Sequence, residues 1–169
     1  MLCRSVIGMV FLLSSVGKLR NMTEFKHTIQ RFQILPNRLV RLFSWLFLGS
    51  EFIVIILIVI GGVSLGHGFA LAGLLLLIFS AALISALTRK IQTSCNCFGS
   101  KEQLISPFDV IRNIIFISFA LGGWKLNSNN YGSPIHTNLL ELSLIGLISI
   151  ACVLVTINLN DIIQVFKPL

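Results

Sequence analysis

Charged residues are scarce in this sequence, and the scarcity excludes an ordinary soluble domain. Only 11% of the residues are Asp, Glu, Lys or Arg, whereas a soluble domain carries about 25%. Hydrophobic residues make up 55% of the chain, and its mean hydropathy is +0.92. Because so few charges cannot cover a globular surface, the composition indicates an integral membrane protein.

Two kinds of binding site are also missing from the sequence. The net charge is +7, but no run of bases alternates with aromatic residues as on a nucleic-acid-binding surface. The bases lie close to the ends of apolar runs, which is the pattern of membrane anchoring. No Cys or His stands near enough to the central cysteines to complete a tetrahedral zinc site. We therefore expect the lipid bilayer as a partner, and neither nucleic acid nor a metal.

Long apolar runs predict an all-α membrane protein. They are continuous rather than alternating, which favours helices over a closed barrel. The predicted spans cover residues 2–19, 40–63, 69–88, 108–125 and 139–158. The linkers between the first four are short, so these helices are expected to form an antiparallel bundle with the fifth packed outside it.

The first apolar run allows two interpretations. Residues 2–16 could be a signal peptide, since one base precedes an apolar stretch and small residues. No A-x-A-like cleavage site follows, and Lys18 continues the run, so we favour a retained transmembrane helix. This helix is short for a span of about 20 residues, and we expect Arg4 and Lys18 to extend to opposite interfaces.

The most basic linker follows, over residues 18–41. Phe25, Ile29 and Phe32 recur at helical spacing, which predicts a short interfacial helix on the membrane, ended by Pro36. An amphipathic connector packed on the bundle is the alternative. Further along, the glycine-rich residues 61–68 predict a turn that exposes His67 to solvent.

Glu51 is the one acid deep in an apolar run. An ionisable group at the bilayer centre costs about 2.5–3.5 kcal/mol or more, so we expect it to face the bundle interior. Contacts with polar groups of the first or fourth span would compensate it, and Arg112 is a candidate partner. Glu51 could contact a proton or a ligand, or it could clamp two helices together.

Two cysteines, Cys95 and Cys97, stand in a polar segment between apolar runs, whereas Cys3 is at the chain start and Cys152 lies inside an apolar run. A disulfide between residues i and i+2 closes a small, strained ring. Strain makes such a bond labile and suited to exchange. Arg89, Lys90, Lys101 and Arg112 surround the pair and would stabilise a reactive thiolate. We predict a redox dithiol, with Cys95 attacking first and Cys97 resolving the mixed disulfide.

Several short motifs, taken in order, make the chain resemble a known family over about residues 5–124. They are the S-x-x-K-L run Ser15–Leu19, Phe25 with Ile34–Pro36 in the linker, Glu51, the C-x-C-F-G run Cys95–Gly99, and Arg112-Asn113 at the start of the fourth span. Together they resemble the MauE family of methylamine utilisation proteins, within the wider DoxX-like group.

The resemblance implies a four-helix transmembrane core over residues 1–125, with a polar loop and an additional helix over residues 126–169. It implies a role in maturing a disulfide-rich periplasmic dehydrogenase subunit, or a related thiol-redox role in the bacterial plasma membrane. A membrane quinone, a thioredoxin-like protein or a client protein could then reach the cysteine pair. The site residues supporting Cys95 and Cys97 would be Lys18, Glu51, Phe98, Gly99, Arg112 and Asn113.

Two other functional classes remain open. A non-enzymatic accessory or immunity protein fits the small extramembrane mass, and its function would survive loss of the cysteines. A small transporter would depend on Glu51 rather than on the thiols. Whether the chain is an enzyme is thus left undecided by the sequence.

The distribution of bases predicts the topology. Of the 13 Lys and Arg residues, all except Arg4 and Lys125 fall on one side of a five-span arrangement. The positive-inside rule then places the N-terminus outside and the cysteine segment in the cytoplasm. A disulfide role favours the opposite orientation, because disulfides persist in oxidising compartments.

Reporter fusions should read external at residue 130 and cytoplasmic at the C-terminus, and an external C-terminus would refute the charge argument.

Overall fold

The structure, a computed structural model, describes residues 1–31, 36–89, 106–129 and 139–158. Within these ranges the chain is helical apart from a few turn residues. They are α1 (Leu2–Arg20), α2 (Met22–Arg31), α3 (Asn37–Ile60), α4 (Ser64–Thr88), α5 (Pro107–Asn129) and α6 (Leu139–Ile157). Each long helix lies within a few residues of a predicted span, so the helix positions are confirmed.

The long helices pack around a shared apolar core. α1 contacts α3, α5 and α6, while α4 contacts α3 and α5, most extensively α5. Each of these helices contributes to the core a side chain that is at most 1% exposed: Val6, Val54, Ala72, Phe116 and Val153. α1, for which a signal peptide was the other interpretation, is therefore a central element of the bundle, since it contacts three of the other long helices.

Three helices are long and apolar enough to cross a membrane by length and composition: α1, α4 and the Leu39–Ile60 part of α3. Many of their outward side chains are exposed and apolar, as at Leu46 and Val59, which suits contact with lipid. α6 contains a shorter apolar stretch, Ser143–Ile157. The chain is thus an all-helical membrane protein in the part that the structure describes.

A tight turn joins α3 to α4 and makes them antiparallel. Gly61 and Gly62 have φ of 75° and 61°, the left-handed region that glycine enters without steric cost. Arg4 closes this end of the bundle, because its Nε donates to the Ile58 carbonyl (2.9 Å) and its Nη2 to the Val59 carbonyl (2.8 Å). The turn is shorter than predicted, so His67 lies in the first turn of α4, where it is exposed.

α2 packs on the bundle through its apolar face. Phe25 and Ile29 are buried in a cluster with Val40 of α3. This is the arrangement of the alternative interpretation, a connector on the bundle, since the side chains predicted to enter the interface contact protein instead. Phe32, the third member of the predicted stripe, lies outside the described residues.

α5 begins at a serine cap. Ser106 Oγ accepts from the Phe108 N–H at 3.5 Å, and the Asp109 carboxylate accepts from the Ser106 N–H at 2.9 Å. The two bonds form a reciprocal capping box that satisfies otherwise unpaired donors at a helix start. The helix start therefore has a defined geometry, which fixes where Arg112 and Asn113 stand.

Helices α4 and α5 approach closely at one glycine. A Cβ added to Gly123 would lie 2.5 Å from Cζ of Phe69, a ring that is itself 3% exposed in the core. Gly122, the preceding residue, has no atom within 4 Å of the corresponding position. The absence of a side chain at Gly123 is therefore what lets the two helices pack around the Phe69 ring.

This difference yields a matched pair of variants. Gly123→Ala should lower the free energy of unfolding by about 1–3 kcal/mol, because the ring of Phe69 must move within a packed core. Gly122→Ala should leave it unchanged or raise it by up to about 1 kcal/mol, the helix-propensity gain. Thermal unfolding of both variants in detergent measures the effect, and equal melting temperatures would show that the close approach is not rigid.

Candidate functional site

The polar residues near the end of α1 lie on one buried face. Ser14, Ser15 and Lys18 are 6%, 2% and 3% exposed, and Ser14 and Lys18 are four residues apart, so they are neighbours on the helix surface. Glu51 of α3 lies opposite them and is 3% exposed. The prediction that Glu51 faces the interior and contacts polar groups of the first helix is confirmed.

Both carboxylate oxygens of Glu51 accept hydrogen bonds from α1. Ser14 Oγ donates to Oε1 at 3.1 Å, and Ser15 Oγ donates to Oε2 at 3.2 Å. Lys18 Nζ forms an ion pair with Oε1 and also donates to Ser14 Oγ at 2.9 Å. The acid is therefore held by a charge and by two hydroxyl groups, all supplied by one turn of α1.

Aromatic rings surround the ammonium group of Lys18. Its Nζ lies 5.3 Å from the ring centroid of Phe25, 4.7 Å from that of Phe47 and 5.9 Å from that of Phe79. A cation within about 6 Å of a ring face is attracted by the negative charge density there. Because these rings come from α2, α3 and α4, the ammonium group lies where α1 meets three other helices.

We call Ser14, Ser15, Lys18 and Glu51 the buried ion-pair site. Removing two charges from water costs several kcal/mol per ion, and their attraction offsets this only when the remaining donors and acceptors are satisfied. The serine hydroxyls and the aromatic rings provide those further contacts. The arrangement is stable as a unit, and loss of either charge would leave the other buried without compensation.

Arg112, the candidate partner of Glu51, pairs with another acid. Its Nη2 forms an ion pair with Asp109 Oδ1 at 3.1 Å, one turn earlier on α5. The i, i+3 spacing makes this contact local, whereas Lys18 already occupies the carboxylate of Glu51. The expectation that Lys18 extends to the interface was wrong for the same reason: its charge is neutralised inside the bundle.

A cavity of about 30 Å³ adjoins the buried ion-pair site. Its polar lining comes from Ser14, Lys18, Glu51 and Asn113, and the remaining lining residues are apolar. Asn113 is 1% exposed, and it belongs to α5. The cavity thus brings Asn113, a predicted site residue, next to Glu51 and Lys18.

Several members of this site are not among the residues predicted from the sequence. Ser14 was not singled out, although its i, i+4 spacing to Lys18 was a usable signal. Phe47 and Phe79 could not be distinguished from the other apolar residues of their helices. Ser15 was noticed only as the start of the S-x-x-K-L run, and the structure gives that run a physical meaning, since both of its polar residues bind Glu51.

The predicted redox residues Cys95, Cys97, Phe98 and Gly99 lie outside the described residues, so the structure does not test their role. Cys3 in α1 and Cys152 in α6 are free and half-buried, as expected for cysteines in apolar helices.

The fold and the buried ion-pair site define a helical membrane protein whose first and second long helices are joined by an internal acid–base pair. Comparison with known families agrees with this class: the model of the family described as "Methylamine utilisation protein MauE" matches residues 1–126. The chain therefore belongs to the MauE family. No curated protein and no solved structure is similar enough to the chain to count as a match.

The ion pair predicts a large effect from a single substitution. Lys18→Met should lower the free energy of unfolding by about 3–5 kcal/mol, because Glu51 would keep its buried charge without a counter-charge. Arg20→Met removes an exposed cation from the same helix and should change it by less than about 0.5 kcal/mol. Chemical or thermal unfolding in detergent compares the two, and similar effects would contradict the assignment of Lys18 as a buried partner.

Proposed function

We propose that this MauE-family protein carries out thiol–disulfide exchange during protein maturation in the bacterial plasma membrane, with Cys95 and Cys97 as its redox pair. The observation that carries the proposal is the position of these cysteines. They stand one residue apart in the polar segment between α4 and α5, the two helices that pack most extensively against each other. Both ends of the segment are thereby tied to the bundle.

Charge near the segment supports the same function. Arg89 is exposed at the end of α4, and Lys90 and Lys101 belong to the segment itself. Cations close to a thiol favour the thiolate, which is the attacking form in disulfide exchange. Arg89, six residues before Cys95 in the sequence, makes that cysteine the expected first nucleophile.

The exchange proceeds in two displacements. The Cys95 thiolate attacks a partner disulfide, forming a mixed disulfide and releasing one partner thiolate. The Cys97 thiolate then attacks the Cys95 sulfur and releases the second partner thiolate, so that the chain is oxidised and the partner reduced. In the reverse direction a client dithiol becomes oxidised, and a membrane quinone that takes two electrons and two protons restores the Cys95–Cys97 disulfide.

The proposed architecture has five transmembrane helices. α1, α3, α4 and α5 would form the DoxX-like core over residues 1–125, and α6 would cross the membrane beside α1. In this arrangement the buried ion-pair site is a clamp that fixes α1 against α3. The partners would be a thioredoxin-like protein or a disulfide-rich client, which in a methylamine pathway would be a dehydrogenase subunit.

The geometry at Glu51 favours the clamp over a transport role. A transporter that uses Glu51 needs the charge of the carboxylate to be available to its substrate, yet that charge is already paired with Lys18 of α1. The adjoining cavity of about 30 Å³ is lined mainly by apolar side chains. An accessory protein without chemistry is the remaining alternative, and the cysteines distinguish it from the exchange function.

Thiol trapping in intact cells tests the proposal. A membrane-impermeant maleimide, applied with and without reductant, should label Cys95 and Cys97 only after reduction if the pair cycles through a disulfide exposed to that side. Labelling only after the membrane is opened would place the pair in the cytoplasm. A pair that is reduced under every condition would contradict the redox role.

Substitution of the cysteines should separate the exchange function from the accessory function. Cys95→Ser and Cys97→Ser should each abolish client maturation while the protein still accumulates in the membrane, because each removes one sulfur of the pair. Cys3→Ser and Cys152→Ser are the matched controls in the helices and should retain function. Wild-type maturation in the Cys95 and Cys97 variants would favour the accessory protein.

A further inference from the structure

Asn113 poses a question that the proposed redox function does not answer. It is 1% exposed, and its Nδ2 has no hydrogen-bond partner among the described residues. An unsatisfied buried donor is costly, so native proteins pair nearly all of them with protein groups or ordered water. Asn113 lines the cavity that also borders Ser14, Lys18 and Glu51, and this position indicates how the donor is satisfied.

We propose that this cavity is a binding site for ordered water, in which a water molecule accepts a hydrogen bond from Asn113 and donates one to Glu51. The volume of about 30 Å³ exceeds the space of about 10–15 Å³ that one water requires. The polar partners of such a water are also present, since an amide donor and a carboxylate line the same space. A purely apolar cavity of this size would remain dry.

Glu51 has capacity for this additional bond. An ionised carboxylate offers about four acceptor positions. Oε1 accepts from Ser14 and Lys18, whereas Oε2 accepts only from Ser15 among the residues that the structure describes. The other side chains that line the cavity are apolar apart from Ser14 and Lys18. The bound water is therefore held between α5 on one side and the α1–α3 ion pair on the other.

The water site gives α5 a polar connection to the buried ion-pair site. Asn113 follows Arg112, whose ion pair with Asp109 lies beside the capping box that begins α5. A water between Asn113 and Glu51 would extend these contacts into the bundle interior. This inference is independent of the redox function, because it concerns only residues that the structure describes.

Nuclear magnetic resonance detects such a water directly. In protein labelled with ¹⁵N-asparagine and held in detergent, the Asn113 side-chain amide protons should show a cross-peak to water with the sign of dipolar contact rather than of chemical exchange. The Asn113→Leu variant assigns the signal by its loss, and Asn113→Ser assigns it if the leucine variant does not fold. Absence of this cross-peak in the wild-type protein would overturn the proposal.

Stability provides a second measurement with a matched control. Asn127 also has a buried Nδ2 without a partner among the described residues, but it does not line this cavity. Asn113→Leu should lower the melting temperature by about 2–4 °C, because it removes a satisfied water-mediated bond, while Asn127→Leu should leave it unchanged or raised. A higher melting temperature for Asn113→Leu would show that the amide was unsatisfied and the cavity dry, contrary to the proposal.

Discussion

The central physical constraint in this protein is that a carboxylate in an apolar helix requires a compensating charge. Glu51 lies within the apolar stretch Leu39–Ile60 of α3, and Lys18 reaches it from the end of α1. Since the cost of burying each ion is offset mainly by the opposite charge, the two helices must meet at this level. The aromatic rings around Lys18 then bring α2 and α4 to the same place.

Other contacts in the bundle are consistent with the meeting of α1 and α3 at the Lys18–Glu51 ion pair. Arg4, near the opposite end of α1, binds carbonyl groups at the end of α3. α1 is thus bound to α3 by a cation near each of its own ends. Lys18 pairs with the side chain of Glu51, and Arg4 binds backbone carbonyl groups. α5 approaches from the other side, where Gly123 admits the ring of Phe69 from α4.

Much of the fold was predictable because membrane helices have a simple sequence signal. Continuous apolar runs located the long helices. The cost of a buried acid also predicted where Glu51 points. The choice of its partner was not predictable, because charge alone did not distinguish Arg112 from Lys18. That choice depends on which helix faces lie opposite each other, and i, i+3 spacing to Asp109 gave Arg112 a closer acid.

The errors at Lys18 and α2 share one physical cause. Both were assigned to the membrane interface because a cation near a helix end and an amphipathic stripe are typical of interfacial segments. The bundle offers alternatives that the sequence does not display, namely the carboxylate of Glu51 for Lys18 and the buried side chain of Val40 for Phe25. Family resemblance identified Lys18 and Glu51 as a set, and the structure supplies the contact that joins them.

The most direct test of this account is the coupling free energy between Lys18 and Glu51. The unfolding free energies of the wild type, Lys18→Met, Glu51→Leu and the double variant form a closed cycle. We expect each single variant to lose about 3–5 kcal/mol and the double variant to recover most of that loss, because no unpaired charge remains buried. If the two losses simply add in the double variant, the residues do not stabilise the bundle as a pair, and the central claim is wrong.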